Sequence, residues 1–367
     1  MSHLDHVYAV ILAGGGGTRL WPKSKIKTPK QFLKILGEKT MIQVTVDRIS
    51  GLIPWERIII VTNELYKDEV YQQLPNVPKE NIISEPQKRD TALAMLTGAL
   101  YAKTKDQDAV IVNLASDHVV ANQNEFVRVM TFASKIASEN DFLVTVGISP
   151  IRPSTGFGYI RIANVIDQIA QNLDLYKVES FTEKPNEEKA KEFISTGKYY
   201  WNANMYVWST SSLEKSFKKY MPEMYDLTKD LSKSNPSEFQ NHLKAVYDQA
   251  EAISIDYAIS EKADNLVLIP GNFGWDDVGD WKVVYDLENK NQDGNVIIGD
   301  QKDKNVITID SKNNLIHTNG RLISTVGIEN MIIIDTPEAL MIMPKSRSQD
   351  VKLIVEKLKQ EKKEEYL

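Results

Sequence analysis

Residues 13 to 34 place four consecutive glycines, Gly14, Gly15, Gly16 and Gly17, beside six basic side chains, Arg19, Lys23, Lys25, Lys27, Lys30 and Lys34, in a stretch without a single acid. Glycine lets backbone N–H groups approach phosphate oxygens closely, and fixed cations neutralise them, so this is the chemistry of a polyphosphate site. The register excludes two common phosphate loops. Gly14 is followed five residues later by Arg19 rather than by Gly-Lys, and no third glycine or alanine completes a dinucleotide fingerprint. A glycine turn next to a solvated lysine-rich loop has the same composition.

Three further constellations carry chemistry. The apolar run Val110 to Ala115 ends in Ser116-Asp117-His118. An aspartate at a strand's carboxyl end, across from bound phosphates, is a good Mg²⁺ ligand, although Asp117 serves equally well as a helix cap or turn residue. The segment Gly274 to Trp281 offers Asp276, Asp277 and Asp280 between two tryptophans. Mg²⁺ takes one or two protein carboxylates and completes its shell with phosphate and water, so two aspartates far apart in the chain suit it; an aromatic loop with solvated acids is the plainer alternative. Glu183 and Lys184, at the end of Phe181-Thr182-Glu183-Lys184-Pro185, form a pair able to grip a sugar hydroxyl with the acid and a phosphate with the base, or a simple surface ion pair. The segments around Gly156 and around Asn202 and Asn204 add backbone and amide groups suited to a polyol. There is no Gly-x-Ser-x-Gly elbow, no His-Glu-x-x-His helix and no cysteine, which leaves metal-assisted chemistry at phosphorus.

The elements that must position these groups follow from periodicity. Apolar runs at Val7 to Leu12, Ile58 to Thr62, Val110 to Ala115 and Phe142 to Gly147 alternate with helical patterns at Thr40 to Ile49, Thr91 to Lys103 and Glu125 to Ser138. This alternation predicts a Rossmann-like α/β fold with a mostly parallel sheet flanked by helices, and the glycine loop falls where such sheets bind ligands. Strands at Gly158 to Ala163, Tyr176 to Thr182 and Met205 to Ser209 extend the sheet, a mostly helical stretch covers Ser211 to Ala263, and a short strand follows at Leu266 to Ile269. From about Asn295 short β-branched runs separated by polar turns predict a small all-β unit, with an amphipathic helix over Gln349 to Tyr366. Two domains are expected, 1–290 and 291–367.

The chain has 367 residues and a formal net charge of −6. One basic loop in an acidic protein fits a small anionic ligand and argues against nucleic acid, whose backbone requires broad basic surface. The absence of cysteine fits a reducing compartment, with the cytoplasm as the default, and no apolar run reaches the length that spans a bilayer.

Taken in order, Leu12-Ala-Gly-Gly-Gly-Gly-Thr-Arg-Leu-Trp-Pro, Pro29-Lys-Gln-Phe, Glu85-Pro-Gln-Lys-Arg-Asp-Thr-Ala, Ser116-Asp-His, Gly156-Phe-Gly-Tyr-Ile, Phe181-Thr-Glu-Lys-Pro, Trp201-Asn-Ala-Asn-Met, Ser254-Ile-Asp-Tyr-Ala and Trp275-Asp-Asp-Val-Gly resemble the sugar nucleotidyltransferases, most closely the branch that makes GDP-mannose. The resemblance implies the nucleotide-diphospho-sugar transferase fold followed by a small left-handed β-helix able to mediate a homodimer, without the isomerase domain of longer relatives. It implies transfer of a nucleotidyl group from GTP to mannose 1-phosphate with Mg²⁺. Other triphosphates, other hexose or heptose 1-phosphates, and a non-catalytic sugar-nucleotide sensor are the alternatives. By the same resemblance Gly14 to Gly17 and Thr18 would wrap the nucleotide, and Glu85, Arg89, Asp90 and Thr91 would read the base. Arg19 and Lys30 would hold its phosphates, and Asp117 and Asp277 would bind Mg²⁺. Lys184 would hold the sugar phosphate, with Gly156, Glu183, Asn202 and Asn204 around the sugar. Gly16, Lys23 and Asn204 stand where the family usually has serine, leucine and glycine, and the last would add a side chain at the sugar.

Overall fold

The computed structural model describes residues 2–300 and 304–367. They form two compact units, Met1–Gly14 with Thr45–Asp276, and Gly15–Val44 with Asp277–Leu367.

The first unit is built on a nine-stranded sheet. Its strands are β1 (Val7–Ala13), β2 (Ile58–Asn63), β3 (Ile82–Glu85), β4 (Val110–Ala115), β6 (Leu143–Ile148), β7 (Tyr159–Ala170), β8 (Leu173–Thr182), β9 (Tyr199–Ser209) and β10 (Leu266–Pro270), while β5 (Val119–Val120) and β11 (Trp275–Asp276) pair separately. The strands β3, β2, β1 and β4 lie side by side and parallel. The near-continuous apolar content of β1, β2 and β4 reflects burial on both faces, the condition under which alternation disappears. Beyond β4 the long strand β9 runs antiparallel to both β4 and β6, β6 is parallel to β10, and β8 and β7 complete the sheet antiparallel. The short strand β3 escapes sequence reading because it has only four residues, two of them polar.

Helices α1 (Met41–Ser50), α2 (Lys67–Gln73), α3 (Asp90–Lys105), α4 (Gln123–Glu139), α5 (Glu187–Ser195), α6 (Thr210–Tyr220), α7 (Pro222–Thr228) and α8 (Pro236–Gln249) follow in chain order. The main core joins β1, β2 and β4 to α3, α6 and α8, and α3 is buried from Ala92 through Ala102. At its centre Gly98 lies against β1: a Cβ there would come within 2.4 Å of Val10 Cγ1. Gly98→Ala is therefore expected to destabilise. Helix propensity favours alanine by up to about 1 kcal/mol, whereas overpacking against a fixed β-branched residue costs about 1–3 kcal/mol. The net loss expected is about 1–2 kcal/mol, read from urea unfolding, and a gain in stability would refute the packing argument.

In the second unit β12 (Val296–Asp300), β14 (Leu315–Asn319) and β16 (Met331–Asp335) stack in parallel, as do β13 (Val306–Ile309) and β15 (Ile323–Val326). Successive turns of chain thus lie one over another, the arrangement of a β-helix, and β17 (Leu340–Pro344) closes it antiparallel to β16. Buried asparagines align the turns: Asn295 Oδ1 accepts from Asn314 N at 2.9 Å, and Asn314 Oδ1 accepts from Met331 N at 2.8 Å. The polar ending His317-Thr318-Asn319 hides strand β14 from sequence reading. Helices α9 (Trp281–Leu287) and α10 (Val351–Gln360) pack here, and the fully buried Trp281 donates its indole N–H to Trp21 O at 3.0 Å. Among the described residues no helix is long and apolar enough to cross a membrane.

Candidate active site

In the first unit the carboxyl ends of the parallel strands gather three expected residues. Gly14 follows β1, Glu85 ends β3, and Asp117 lies two residues beyond β4. Thr62 Oγ1 and Ser116 N each donate to the end of β1, at Ala13 O (3.0 Å) and Leu12 O (3.1 Å), which fixes this edge. Glu85 is 6% exposed, and its Oε2 approaches Gly14 so closely that a Cβ at residue 14 would be 2.9 Å away. The first glycine of the loop thus lies directly against a carboxylate. Burial pushes the Glu85 carboxyl up to about 7, opposed by the hydrogen bond from Tyr247 and by the charge of Lys88. A desolvated carboxylate of this kind gains from any ligand that presents N–H donors to it.

The rest of the expected base-reading segment is tied to its own fold. Arg89 Nε donates to Tyr247 O at 2.6 Å, and Thr91 Oγ1 accepts from Ile255 N at 2.9 Å. Asp90 holds a left-handed φ of +62° and accepts from Thr91 N at 2.8 Å. These residues shape the segment at the start of α3, and Glu85 is its buried acidic group.

A second cluster in the same unit joins residues from β7, β8 and β9. Glu183 accepts from Lys184 Nζ at 2.6 Å and packs so near Gly158 that a Cβ there would lie 2.5 Å from Glu183 Oε2. Asn202, 7% exposed, receives Asn204 N on its Oδ1 at 3.1 Å and donates its amide to Asp256 Oδ1 at 2.8 Å. Asp256 also accepts from Tyr206 at 2.5 Å, and burial, with the charge of Glu183 behind it, raises its carboxyl to about 6 despite that bond. The hydrogen bond with Glu183, reinforced by the charges of Glu183 and Asp256, shifts the Lys184 ammonium upward. Asp256 and Tyr206 are site-shaping residues that sequence reasoning does not assign, although the Ser254-Ile-Asp-Tyr-Ala segment is visible in it. Gly156 lies in an exposed loop, where its N–H donates to Ser154 Oγ at 3.2 Å.

Asn204 has φ +51°, the left-handed region that glycine enters freely and asparagine enters more readily than other side chains. The residue that replaces the family's usual glycine therefore keeps the backbone shape, and its side chain turns to Asn202, whose amide donates to Asn204 Oδ1 at 3.3 Å. Lys184 shares the unusual φ, at +44°.

The second unit divides the basic segment by role. Lys30 is 7% exposed and donates to Asp277 O at 2.5 Å, while Gln31 Nε2 donates to Gly15 O at 2.9 Å and Ser24 Oγ donates to Gly17 O. A Cβ at Gly279 would lie 3.3 Å from the Asp277 carboxylate and 3.6 Å from Arg19 Nη1, so the exposed Arg19 and Asp277 flank one glycine. Between them Val278, β-branched and fully buried, has φ +47°, a strained backbone of the sort concentrated at functional sites. Asp280 is engaged elsewhere: it caps α9, accepting from Lys282 N at 2.7 Å and Val283 N at 3.1 Å. In the first unit Asp276 faces Arg152 Nη2 at 3.4 Å.

Lys23 and Lys25 serve structure. Lys23 Nζ lies 2.5 Å from His317 Nε2 and donates to Lys34 O at 3.2 Å, and burial lowers its ammonium to about 8 and the His317 imidazole to about 4. Lys25 pairs with Glu338 at 3.1 Å. The lysine that replaces the usual leucine is thus a strut to β14.

Residues 8–294 match the nucleotidyl transferase family model, and residues 304–358 match the mannose-phosphate isomerase/GMP-like β-helix domain. The chain is 36% identical over 369 residues to mannose-1-phosphate guanylyltransferase 2 of Escherichia coli O157:H7, covering 98% of this chain and 75% of that protein. It is also 36% identical to the mannose-1-phosphate guanylyltransferase of Klebsiella pneumoniae, over 97% of this chain and 75% of that one. A crystal structure from Thermus thermophilus, described as a mannose-1-phosphate geranyltransferase, superposes with a TM-score of 0.85 at 27% identity, covering 96% of this chain and 99% of that one.

Proposed function

The chain belongs to the nucleotidyl transferase family, among the mannose-1-phosphate guanylyltransferases, and on that premise we propose that it transfers the guanylyl group of GTP to α-D-mannose 1-phosphate, giving GDP-mannose and pyrophosphate. The observation that carries the choice of nucleotide is Glu85. Guanine offers N1–H and N2–H side by side, and a buried carboxylate accepts both, whereas adenine and uracil lack that donor pair.

A phosphate oxygen of the sugar 1-phosphate attacks the α-phosphorus in line. A new P–O bond forms as the bond to the β-phosphate breaks, and pyrophosphate carries away the electron pair. The nucleophile is an anion at neutral pH and needs no general base. The protein's task is to gather two polyanions and stabilise the charge on the reacting phosphorus and the leaving group. Arg19 and Lys30 hold the triphosphate with the loop from Gly14 to Thr18. Lys184 holds the sugar phosphate, and Glu183, Asn202, Asn204 and the Gly156 backbone face sugar hydroxyls. Asp117 and Asp277, both half-buried carboxylates, are hard oxygen donors that fit Mg²⁺. When bound, the ion supplies charge neutralisation at the phosphates.

Exposed Ile307, Ile309, Leu322, Val326 and Ile342 on the β-helical unit support a homodimer through that unit. The need for nucleoside triphosphate favours the cytoplasm as the compartment of the reaction. The test is pyrophosphate release with Mg²⁺ across GTP, ATP, UTP, CTP and dTTP against mannose, glucose, fucose and heptose 1-phosphates. Release confined to GTP with mannose 1-phosphate is the expected result. Release with another pair relocates specificity to Glu85–Thr91 or Asn204, and none from any pair favours a sensor.

A further inference from the structure

Helix α8 is bound to the base-reading segment along its length. β3 is the edge strand of the sheet, and the side chain of Gln240 pairs with Ser84 as a neighbouring strand would: Ser84 N donates to Gln240 Oε1 at 3.0 Å, and Gln240 Nε2 donates to Ser84 O at 2.7 Å. Seven residues on, two helical turns along the same face, Tyr247 donates its hydroxyl to Glu85 Oε1 at 3.0 Å. The end of the helix holds the following residues, Arg89 through Tyr247 O at 2.6 Å and Gln87 through the Asp248 carboxylate. Tyr247 is fully buried, and its oxygen lies 3.3 Å from Thr97 Oγ1. Donation to Glu85 leaves the phenol oxygen free to accept from Thr97, so Thr97, Tyr247 and Glu85 form one directed chain.

This geometry constrains the carboxylate in two ways. One oxygen, Oε1, accepts from Tyr247 while the other, Oε2, lies beside Gly14, so the Tyr247 hydroxyl is the group that orients the plane of the carboxylate. A carboxylate that must accept two parallel N–H bonds depends on its plane, because acceptor directions lie in it. We propose that Tyr247 is a positioning residue for nucleobase selection, holding the Glu85 carboxylate in the orientation that accepts the guanine N1–H and N2–H pair. The proposal rests on the reading that Glu85 faces guanine. Tyr247 itself touches no substrate.

The experiment compares the full-length wild type, Tyr247→Phe, Glu85→Gln and the double variant, with GTP and ITP as alternative substrates. Hypoxanthine keeps N1–H and lacks the exocyclic amine, so the GTP/ITP ratio of kcat/KM reports on the second hydrogen bond. Phenylalanine keeps the buried ring and removes one oxygen, and thermal melting checks the fold. Glu85→Gln is expected to lower the GTP/ITP ratio. Tyr247→Phe is expected to raise KM for GTP about tenfold, the scale of one hydrogen bond to a charged group, with a smaller rise for ITP. In the double variant the tyrosine change adds nothing to the loss from Glu85→Gln. A shifted ratio in Glu85→Gln with an unshifted ratio in Tyr247→Phe overturns the role of Tyr247 and keeps that of Glu85. Equal KM changes for both nucleotides mean that Tyr247 is only structural, and an unshifted ratio in Glu85→Gln removes the underlying reading and the proposal with it.

Discussion

Lys184→Ala is expected to lower kcat/KM for pyrophosphate release by about 10² to 10³, the scale of losing one preorganised charge aimed at a reacting phosphate. Part of this loss comes from the residue left behind. In the free protein Lys184 neutralises Glu183 at 2.6 Å, and the Glu183 side chain is only 11% exposed. Alanine removes the cation and leaves a poorly solvated carboxylate, which repels an incoming sugar phosphate. Lys184→Arg keeps the charge and is expected to recover part of the rate, while a wider guanidinium on a backbone at φ +44° does not reproduce the point charge fully. Arg19→Ala should fall by a similar factor. Arg19 is exposed, so the fold tolerates the change and the loss reports on the ligand. Steady-state kinetics on variants with unchanged melting temperatures checks both, and wild-type turnover in either removes that residue from the site.

The difference between what the sequence made legible and what it concealed is one of range. The strands of the first half are legible because burial on both faces turns them into unbroken apolar runs, and β4 falls on the expected residues Val110–Ala115. The glycine loop and its cations are legible because they are adjacent. The six basic residues look equivalent as a list, yet Lys23 reaches His317 and Lys25 reaches Glu338, partners far along the chain that no local pattern announces. Tyr247 and Asp256 are concealed for the same reason. A tyrosine in an amphipathic helix and an aspartate at a helix start are ordinary until the fold sets them beside Glu85 and Asn202. Asn204 illustrates the opposite case, in which a departure from a family pattern suggests a changed pocket while the backbone angle explains the residue.

The two aspartates proposed to hold Mg²⁺ lead to the other large effect. Asp277→Asn and Asp117→Asn are each expected to reduce turnover by about 10³ at fixed Mg²⁺, in line with the several kcal/mol that a bound divalent ion contributes to charge stabilisation at phosphorus. Each variant should also need a higher Mg²⁺ concentration for half-maximal rate, because an amide oxygen is neutral and binds the ion less strongly. The neighbouring acids provide the contrast that makes the test specific. Asp280 caps α9 through two backbone N–H groups, so Asp280→Ala should lower stability by about 0.5–2 kcal/mol and leave the Mg²⁺ requirement where it was. Asp276 faces Arg152 at 3.4 Å. Asp277 differs from both. Its backbone carbonyl receives the buried Lys30 ammonium, its carboxylate shares the neighbourhood of Gly279 with Arg19, and the next residue is held at a strained φ. A titration of pyrophosphate release against Mg²⁺ in the three variants separates the roles. A shifted midpoint in Asp280→Ala with none in Asp277→Asn would reverse the assignment.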